Sequence, residues 1–355
     1  MSGCMVMLQQ AHEARAFSGA SYALGTSAGV VEQGVVGTLA WDGEAVGADS
    51  LWDLASVTKP IVALGAMVLL EQGALRLDDQ VGHFLPAYRG TDKAALTIRQ
   101  LLTHSSGIPG QQPLYREATR RDELLAAIRR LPLRFAPGTD VEYTSQGFMV
   151  LGQIIEAAAD DPLDRFLTAA VLDVVGMNET LFNPPADLRP RVAATEVCPW
   201  RGRLVRGEVH DENACVLGGI AAHAGLFSTV DDLALLCGAL LREGATGRGR
   251  PLLSAATVAV MTRNHTPHLR LARALGWQAK DVVGSPAGDL ASTGSYGHTG
   301  FTGTSVWIDP AADRFVILLT NRVHPSRDND ALSRLRPLFH NAAYATAPDH
   351  DAWPP

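Results

Sequence analysis

The pair Ser56 and Lys59 is the strongest chemical signal in this chain, in the run Ser56-Val-Thr-Lys59. Residues three apart share one face of a helix, so the lysine amine can stand beside the serine hydroxyl. A serine hydroxyl is a weak nucleophile and needs a base, a role that lysine can fill when desolvation or a nearby charge lowers its pKa. The Ser-x-x-Lys spacing alone is common, so further motifs are needed before it indicates a nucleophilic serine.

Two other short motifs supply groups that would assist such a serine. Tyr143-Thr-Ser145 precedes a predicted helix, and His298-Thr-Gly300 stands just before a predicted strand at 303–309. A phenol beside a lysine can relay protons. A strand that carries glycine lets its backbone approach a substrate closely. The combination predicts a nucleophilic serine with a lysine and a tyrosine as proton carriers.

A competing motif occurs earlier, because Gly25-Thr-Ser27-Ala-Gly29 fits the G-x-S-x-G pattern of a nucleophile elbow. That elbow needs a strand before it and a helix after it. The run that follows, 30–36, is rich in valine and predicts a second strand. We therefore interpret Ser27 as part of a hairpin turn.

The composition excludes several function classes. The chain has 355 residues, of which 46% are hydrophobic and 19% charged, so it can bury a sizeable core. Its net charge of −7 argues against a nucleic-acid partner. No apolar run reaches the ~20 residues of a membrane span. The first residues lack a basic segment followed by an apolar one, so we expect a cytoplasmic location.

The cysteines and the scattered histidines give no metal signal. Four cysteines show no CxxC pair and no zinc spacing, so we expect reduced thiols and neither a metal nor another cofactor. His210, Asp211, Asn213 and His223 likewise lack the spacing of a metal site, and we interpret them as structural. His104 is expected to anchor the loop after a predicted helix. Two tryptophans are expected in the core, namely Trp52 and Trp307.

Predicted strands lie near both ends of the chain, and predicted helices fill its middle. A hairpin is expected within 19–50, and late strands at 303–309 and 314–320 flank a turn. Helices are predicted from periodicity and caps at 61–73, 97–103, 121–131, 145–159, 163–175, 231–241 and 329–345.

This order predicts an α+β fold in which an antiparallel sheet joins the two ends of the chain. We assign 1–62 and 270–355 to a lobe that contains this sheet, flanked by helices. We assign 63–269 to an inserted, mainly helical lobe. Ligand sites favour such junctions, so the site is expected between the lobes.

The three motifs, in this order, resemble those of the serine β-lactamase and penicillin-binding protein superfamily. The resemblance is closest to its class C-like branch, which includes β-lactamase-type carboxylesterases, D-aminopeptidases and acyltransferases such as the lovastatin acyltransferase. Longer phrases support it, among them Leu51-Trp-Asp-Leu-Ala-Ser-Val-Thr-Lys-Pro60 and Gly297-His-Thr-Gly-Phe-Thr-Gly303. It extends from about residue 20 to 325 and implies a β-lactamase/transpeptidase-like fold.

The resemblance also implies roles for individual residues. Ser56 would be the acylated nucleophile, and Lys59 and Tyr143 would share the general-base and general-acid work. The backbone N–H groups of Ser56 and Phe301 would form the oxyanion hole. The remaining motif residues would bind substrate, namely Ser145, His298, Thr299 and Gly300.

Two positions depart from the family pattern. His298 stands where lysine is usual, and a mostly neutral imidazole weakens the case for substrates with a carboxylate. Ser145 stands where asparagine is common, and a hydroxyl lacks the donor and acceptor pair of an amide. Recognition of a peptide or β-lactam amide is therefore expected to differ.

The residues predict the mechanism better than the substrate. The partners would be a small-molecule acyl donor, which is an ester or amide, and an acceptor, which is water, an amine or an alcohol. Hydrolysis and acyl transfer, for instance in natural-product biosynthesis, are both open. A β-lactamase or D-alanyl carboxypeptidase is an alternative, and a non-catalytic penicillin-binding-like protein is another. The oligomeric state is not predicted.

Overall fold

The computed structural model describes residues 2–346 and contains an antiparallel sheet of six strands, ordered β2-β1-β11-β10-β9-β8. Strands β1 and β11, far apart in sequence, pair with Ala20 opposite Thr320. The strands of this sheet are β1 (Gly19–Thr26), β2 (Gly29–Gly37), β8 (Gln278–Ala279), β9 (Tyr296–Thr299), β10 (Ser305–Asp309) and β11 (Arg314–Thr320). A second sheet has three strands: β3 (Trp52–Asp53), β4 (Leu181–Phe182) and β7 (Leu226–Ser228). A third sheet has two strands: β5 (Val197–Cys198) and β6 (Arg203–Leu204).

Helices cover the sheet and fill the region between its halves. Their bounds are α1 Gly3–Glu13, α2 Thr58–Glu71, α3 Val81–Phe84, α4 Ile98–Leu102, α5 Arg121–Arg130, α6 Ser145–Ala159, α7 Leu163–Leu167, α8 Asp173–Val175, α9 Glu212–Val216, α10 Val230–Leu241, α11 Ala255–Thr262 and α12 Ala331–Ala345. A π-helical turn at 168–172 joins α7 to α8, so one helical segment spans the predicted range 163–175.

Helix α2 is the central element of the core. Every residue from Thr58 to Leu69 is buried, which agrees with the apolar run that predicted this helix. Helix α6 packs against it. Helix α10 starts at the cap Thr229, whose hydroxyl accepts the Asp232 N–H, and it packs on β1 and β11. This helix lies within the range 63–269; the division of the chain into the two lobes stays a prediction.

The hairpin of β1 and β2 determines the place of the competing serine. Ser27 lies half-buried between the two strands, and its hydroxyl donates to the Asp313 carboxylate at 2.9 Å. No helix follows it, so the segment lacks the architecture of a nucleophile elbow.

Several elements escaped the sequence-based prediction, among them α1, α11, β8 and β9. As a result, the prediction that His298 precedes the first late strand is wrong, because His298 lies on β9 itself. Gly297 explains the omission, since glycine weakens strand propensity and here lets the strand pass the Trp307 ring. Trp52 and Trp307 are buried, as expected, and the four cysteines are free. Among residues 2–346, no helix has the length and apolar character needed to cross a bilayer.

Candidate active site

The turn before α2 presents Ser56 at the start of that helix. Ser56 lies in a 3₁₀ turn, Ala55–Val57, that leads directly into α2. Ala55 has a φ of +47°, which a side chain disfavours, and the buried Asp53 carboxylate stabilises the turn by accepting the Ala55 N–H at 2.8 Å. The same carboxylate accepts the His210 N–H at 2.7 Å. The turn around Ser56 is therefore held from both sides.

Lys59 lies one helical turn further along and is fully buried. Its Nζ donates to Ser56 Oγ at 3.1 Å and to the His223 carbonyl at 3.0 Å. It also lies 4.8 Å from the centre of the Tyr143 ring. No carboxylate of the described chain lies within 4 Å of this amine, so its direct partners are the serine, a carbonyl and an aromatic face.

Tyr143 is held by His104, a residue that sequence reasoning treated only as a loop anchor. His104 follows the end of α4 with a φ of +57°, and its carbonyl accepts the Glu142 N–H. Its Nδ1 accepts the Thr144 N–H at 3.1 Å, so both neighbours of Tyr143 are fixed by one histidine. The two rings lie 4.7 Å apart. Burial, with the charges of Arg273 and Lys59, lowers the pKa of His104 well below its usual value.

The phenol of Tyr143 is available for chemistry. Its Oη is buried and has no hydrogen-bond partner among the described residues. Thr144 caps α6 by accepting the Gly147 N–H, and this cap places Ser145 at the first position of the helix. Tyr143 and Ser145 thus reach the site from the start of α6, as Ser56 and Lys59 do from the start of α2.

The loop from β9 to β10 is fastened to the segment before Ser56. The Thr302 hydroxyl donates to the Asp53 carbonyl at 2.7 Å, and the Thr304 hydroxyl donates to the Leu54 carbonyl at 2.9 Å. Gly300 is needed at the centre of this junction, because a Cβ there would lie 2.5 Å from the Leu54 carbonyl oxygen. These contacts fix Phe301, the next residue, relative to Ser56.

His298 offers an acceptor to the site rather than a charge. Its Nδ1–H donates to the Thr299 carbonyl at 2.8 Å, which leaves Nε2 with a lone pair. That Nε2 is buried and unpartnered among residues 2–346. Burial, together with Lys59, lowers the pKa of His298 to about 3. The imidazole is therefore neutral at physiological pH, as the sequence analysis expected.

Ser56 lies between two cavities. Three residues line both of them, namely Ser56, Gln111 and Phe301. The first, which we call the basic cavity, has a volume of about 450 Å³. Its lining includes Tyr143, Arg273, His298, Thr299, Arg322 and Arg336. The second, which we call the polar cavity, has a volume of about 220 Å³. Its lining includes Gln112, Tyr115, Ser145, Asp211, Glu212 and Asn213.

No motif in the sequence pointed to the arginines of the basic cavity. Arg273 lies between α11 and β8, Arg322 follows β11, and Arg336 lies on α12. Each is distant from the three motifs along the chain, and only the fold as a whole brings them to the cavity that Ser56 lines. A basic lining was therefore not predictable from spacing.

Asp211 and His223, interpreted as structural from the sequence, support Lys59. His223 Nε2 lies 3.0 Å from Asp211 Oδ1, and the His223 carbonyl is the acceptor of the lysine amine. Burial raises the pKa of Asp211, but the His223 imidazole, the Ala214 N–H and the charge of Lys59 together outweigh burial, so the pKa ends below its usual range. Asn213 contributes to the loop beside the site by accepting the Tyr115 N–H at 2.8 Å.

One cluster brings together potential metal ligands, namely Glu196, Cys198 and Glu212. The Arg327 guanidinium donates to both carboxylates of this cluster. His210 lies 3.0 Å from Glu196. An arginine therefore already supplies the positive charge between the two carboxylates.

The family model named Beta-lactamase matches residues 7–339, and the chain belongs to this family. A relative from Escherichia coli (strain K12), described as "Putative D-alanyl-D-alanine carboxypeptidase", is 32% identical over 305 residues, which cover 78% of this chain and 70% of the relative. A relative of the same description from Salmonella enteritidis PT4 is 33% identical over 308 residues, with the same coverage.

Solved structures share the fold. A beta-lactamase/D-alanine carboxypeptidase from Pseudomonas syringae aligns with a TM-score of 0.78 at 17% identity, covering 97% of this chain and 98% of that one. Simvastatin synthase from Aspergillus terreus aligns with a TM-score of 0.73 at 21% identity, covering 96% and 97%. The predicted β-lactamase/transpeptidase-like α+β fold is confirmed. The chain is an enzyme of the serine hydrolase and acyltransferase class that this family comprises.

Proposed function

We propose that the enzyme acylates Ser56 with the acyl half of an ester or amide whose leaving group carries a carboxylate, and then passes the acyl group to water. This is the chemistry of a carboxypeptidase-type hydrolase. The observation that carries the proposal is the cationic lining of the basic cavity beside Ser56. Guanidinium groups bind carboxylates through paired, charge-assisted hydrogen bonds.

The arginines offset the effect of having histidine rather than lysine at position 298. A neutral imidazole in place of lysine argued against substrates with a carboxylate. Arg273 and Arg336 line the same cavity as His298 and can take over the attraction of an anionic leaving group. The description of the Escherichia coli relative as a carboxypeptidase agrees with this reading.

The chemistry proceeds in two balanced stages. Lys59 or Tyr143 accepts the hydroxyl proton of Ser56, and the oxygen attacks the substrate carbonyl carbon. The oxyanion that forms accepts hydrogen bonds from the backbone N–H groups of Ser56 and Phe301. The tetrahedral intermediate then collapses, and the proton passes to the leaving atom as its bond to carbon breaks. Water repeats the attack on the ester, and Ser56 recovers its proton.

Tyr143 determines which half of the substrate enters which cavity. It lines the basic cavity and is absent from the lining of the polar cavity. As the proton carrier nearest the leaving atom, it would place the leaving group in the basic cavity. The acyl half would then lie in the polar cavity, against Ser145 and the side chains around Asn213.

Transfer to an amine is the second candidate, and the same cavity favours it. An amine that carries a carboxylate can enter the basic cavity after the leaving group departs and reverse the first stage. Adding free D-alanine to a turnover assay separates the two outcomes. A new acyl-D-alanine product marks transfer, and the free acid alone marks hydrolysis.

The proposal is tested with N-acyl-D-alanyl-D-alanine and its C-terminal amide, which differ only in the terminal charge. We expect kcat/KM to be at least about tenfold higher for the free acid, and Arg273→Gln to reduce that ratio. Arg334→Gln is a matched control, because Arg334 is exposed on the same helix as Arg336 and does not line the cavity. Equal kcat/KM values for acid and amide would rule out recognition of the carboxylate.

A further inference from the structure

The basic cavity carries more positive charge than its own residues neutralise. Arg273, Arg322 and Arg336 line it, and Asp330 is its one carboxylate. Within residues 2–346, none of the three guanidinium groups has a carboxylate within 4 Å. The lining therefore keeps an excess of two positive charges beside Ser56.

The three arginines differ in how their hydrogen bonds are used. Arg322 is anchored, because it donates to the carbonyls of Phe301 at 2.9 Å and Asn329 at 2.6 Å. Arg336 makes only long contacts, at 3.4 and 3.5 Å, to the carbonyls of Thr304 and Gly300. Its Nε is buried without a partner among the described residues.

Arg273 is the least satisfied of the three. It is only 7% exposed, and its Nε has no partner among residues 2–346. Its guanidinium donates no hydrogen bond to any side chain or carbonyl of that range. Its carbon Cζ lies 5.9 Å from the centre of the Tyr143 ring, next to the proton carrier. Arg273 and Arg336 therefore both hold unused donors.

Both groups keep their charge at neutral pH. Burial and the nearby Arg322 lower the pKa of Arg336 to about 10. Burial likewise lowers the pKa of Arg273, although both groups remain protonated. Arg273 is buried and Arg336 half-buried; an unpaired cation in such surroundings is unfavourable, and an anionic ligand relieves that cost. Two such cations in one cavity match two anionic groups.

The size of the cavity fits a leaving group larger than alanine. Its volume of about 450 Å³ lies within the range of roughly 300–1,000 Å³ that is typical of pockets for larger ligands. A single small amino acid would occupy a fraction of it and would neutralise one guanidinium.

From the charge and the volume we infer that the leaving group carries two anionic groups, one for Arg273 and one for Arg336. An acidic D-amino acid or a phosphorylated small D-amino acid has this chemistry. The inference rests on the proposed function, since it specifies the leaving group of the same reaction.

The test compares four substrates that share one acyl half and differ in the leaving group: D-alanine, D-glutamine, D-glutamate and O-phospho-D-serine. We expect kcat/KM for D-glutamate or phosphoserine to exceed that for D-glutamine by at least about tenfold. Whichever of these two leaving groups gives the higher kcat/KM shows whether a carboxylate or a phosphate is preferred as the second anion. Equal values for all four leaving groups would overturn the inference and leave the proposed function intact.

Variants locate the second anion site. Arg336→Gln is expected to remove the preference for D-glutamate over D-glutamine, Arg336→Lys to retain part of it, and Arg334→Gln to leave it unchanged. A preference that survives in both Arg336→Gln and Arg273→Gln would contradict the assignment. If none of the four substrates is turned over and none modifies Ser56, the proposed function itself fails, and the inference with it.

Discussion

The substitution Gly300→Ala tests whether the loop between β9 and β10 must approach the turn around Ser56 as closely as it does. A Cβ at this position would lie 2.0 Å from Thr304 Oγ1 and 2.5 Å from the Leu54 carbonyl oxygen. Neither distance is compatible with van der Waals contact, so the loop must move away from the segment before Ser56. The residue that moves with it is Phe301, whose N–H would stabilise the oxyanion.

The expected loss follows from the size of that shift. A displacement of about 1 Å in a catalytic group can cost on the order of 10²-fold in rate. Removal of one oxyanion donor costs roughly 10²–10³-fold in kcat. We therefore expect acylation by an activated ester to slow by roughly 10²–10³-fold. The fold should persist, because the shift weakens the two hydrogen bonds that fasten the loop, from Thr302 and Thr304, each worth about 0.5–1.5 kcal/mol.

The assay is stopped-flow release of the chromophore from a p-nitrophenyl ester, with thermal unfolding measured in parallel. Gly294→Ala is the matched control, since its Cβ would meet only Ser292 Oγ, at 3.8 Å. An acylation rate for Gly300→Ala within about threefold of the wild type would refute the reasoning. A folded variant with slow acylation would support it.

Three further outcomes are expected. Ser27→Ala should acylate at the wild-type rate in the same stopped-flow assay, because this side chain lies in a hairpin turn and donates to Asp313; a large loss would revive the competing motif. His104→Phe keeps a ring beside Tyr143 but leaves the Thr144 N–H without its acceptor, so unfolding in urea should show a loss of about 1–3 kcal/mol and turnover should fall; His104→Asn, which restores an acceptor, should recover part of both, and unchanged values would contradict the positioning role. Burial lowers the pKa values of His298 and His340 to about 3. Between the ordinary histidine pKa and that value, the folded state therefore binds fewer protons than the unfolded chain. In this range the free energy of unfolding should decrease as the pH decreases, by about 1.4 kcal/mol per pH unit for each histidine. His340→Gln should reduce this slope in urea titrations, and an identical slope would argue against a buried neutral imidazole.

The local part of the site was predictable from sequence. The spacing of Ser56 and Lys59 fixes their relation along one helix turn, and the distance of 3.1 Å between their polar atoms reflects that geometry. Tyr143 and Ser145 were likewise recognisable, because they stand where a helix with a clear period begins, Tyr143 just before it and Ser145 as its first residue. In both cases a short stretch of chain determines where the side chains point.

The rest depends on contacts between distant segments, which spacing does not record. The His223 carbonyl reaches Lys59 across 164 positions of the chain. Arg336 reaches the cavity only because α12 packs on the sheet. His104 supports Tyr143 from a left-handed backbone conformation, which cannot be predicted from a single histidine in the sequence. The proposed substrate preference rests on such long-range contacts, which is why the sequence left the substrate open.

The most direct test of the account is the mass of the intact protein over time after mixing with an activated ester. We predict an adduct equal to the acyl group on the wild-type protein, mapped by peptide fragmentation to Ser56 and absent from Ser56→Ala. The adduct should decay in water with release of the free acid. An adduct that persists in Ser56→Ala, or ester turnover by that variant at the wild-type rate, would contradict the assignment of the nucleophile.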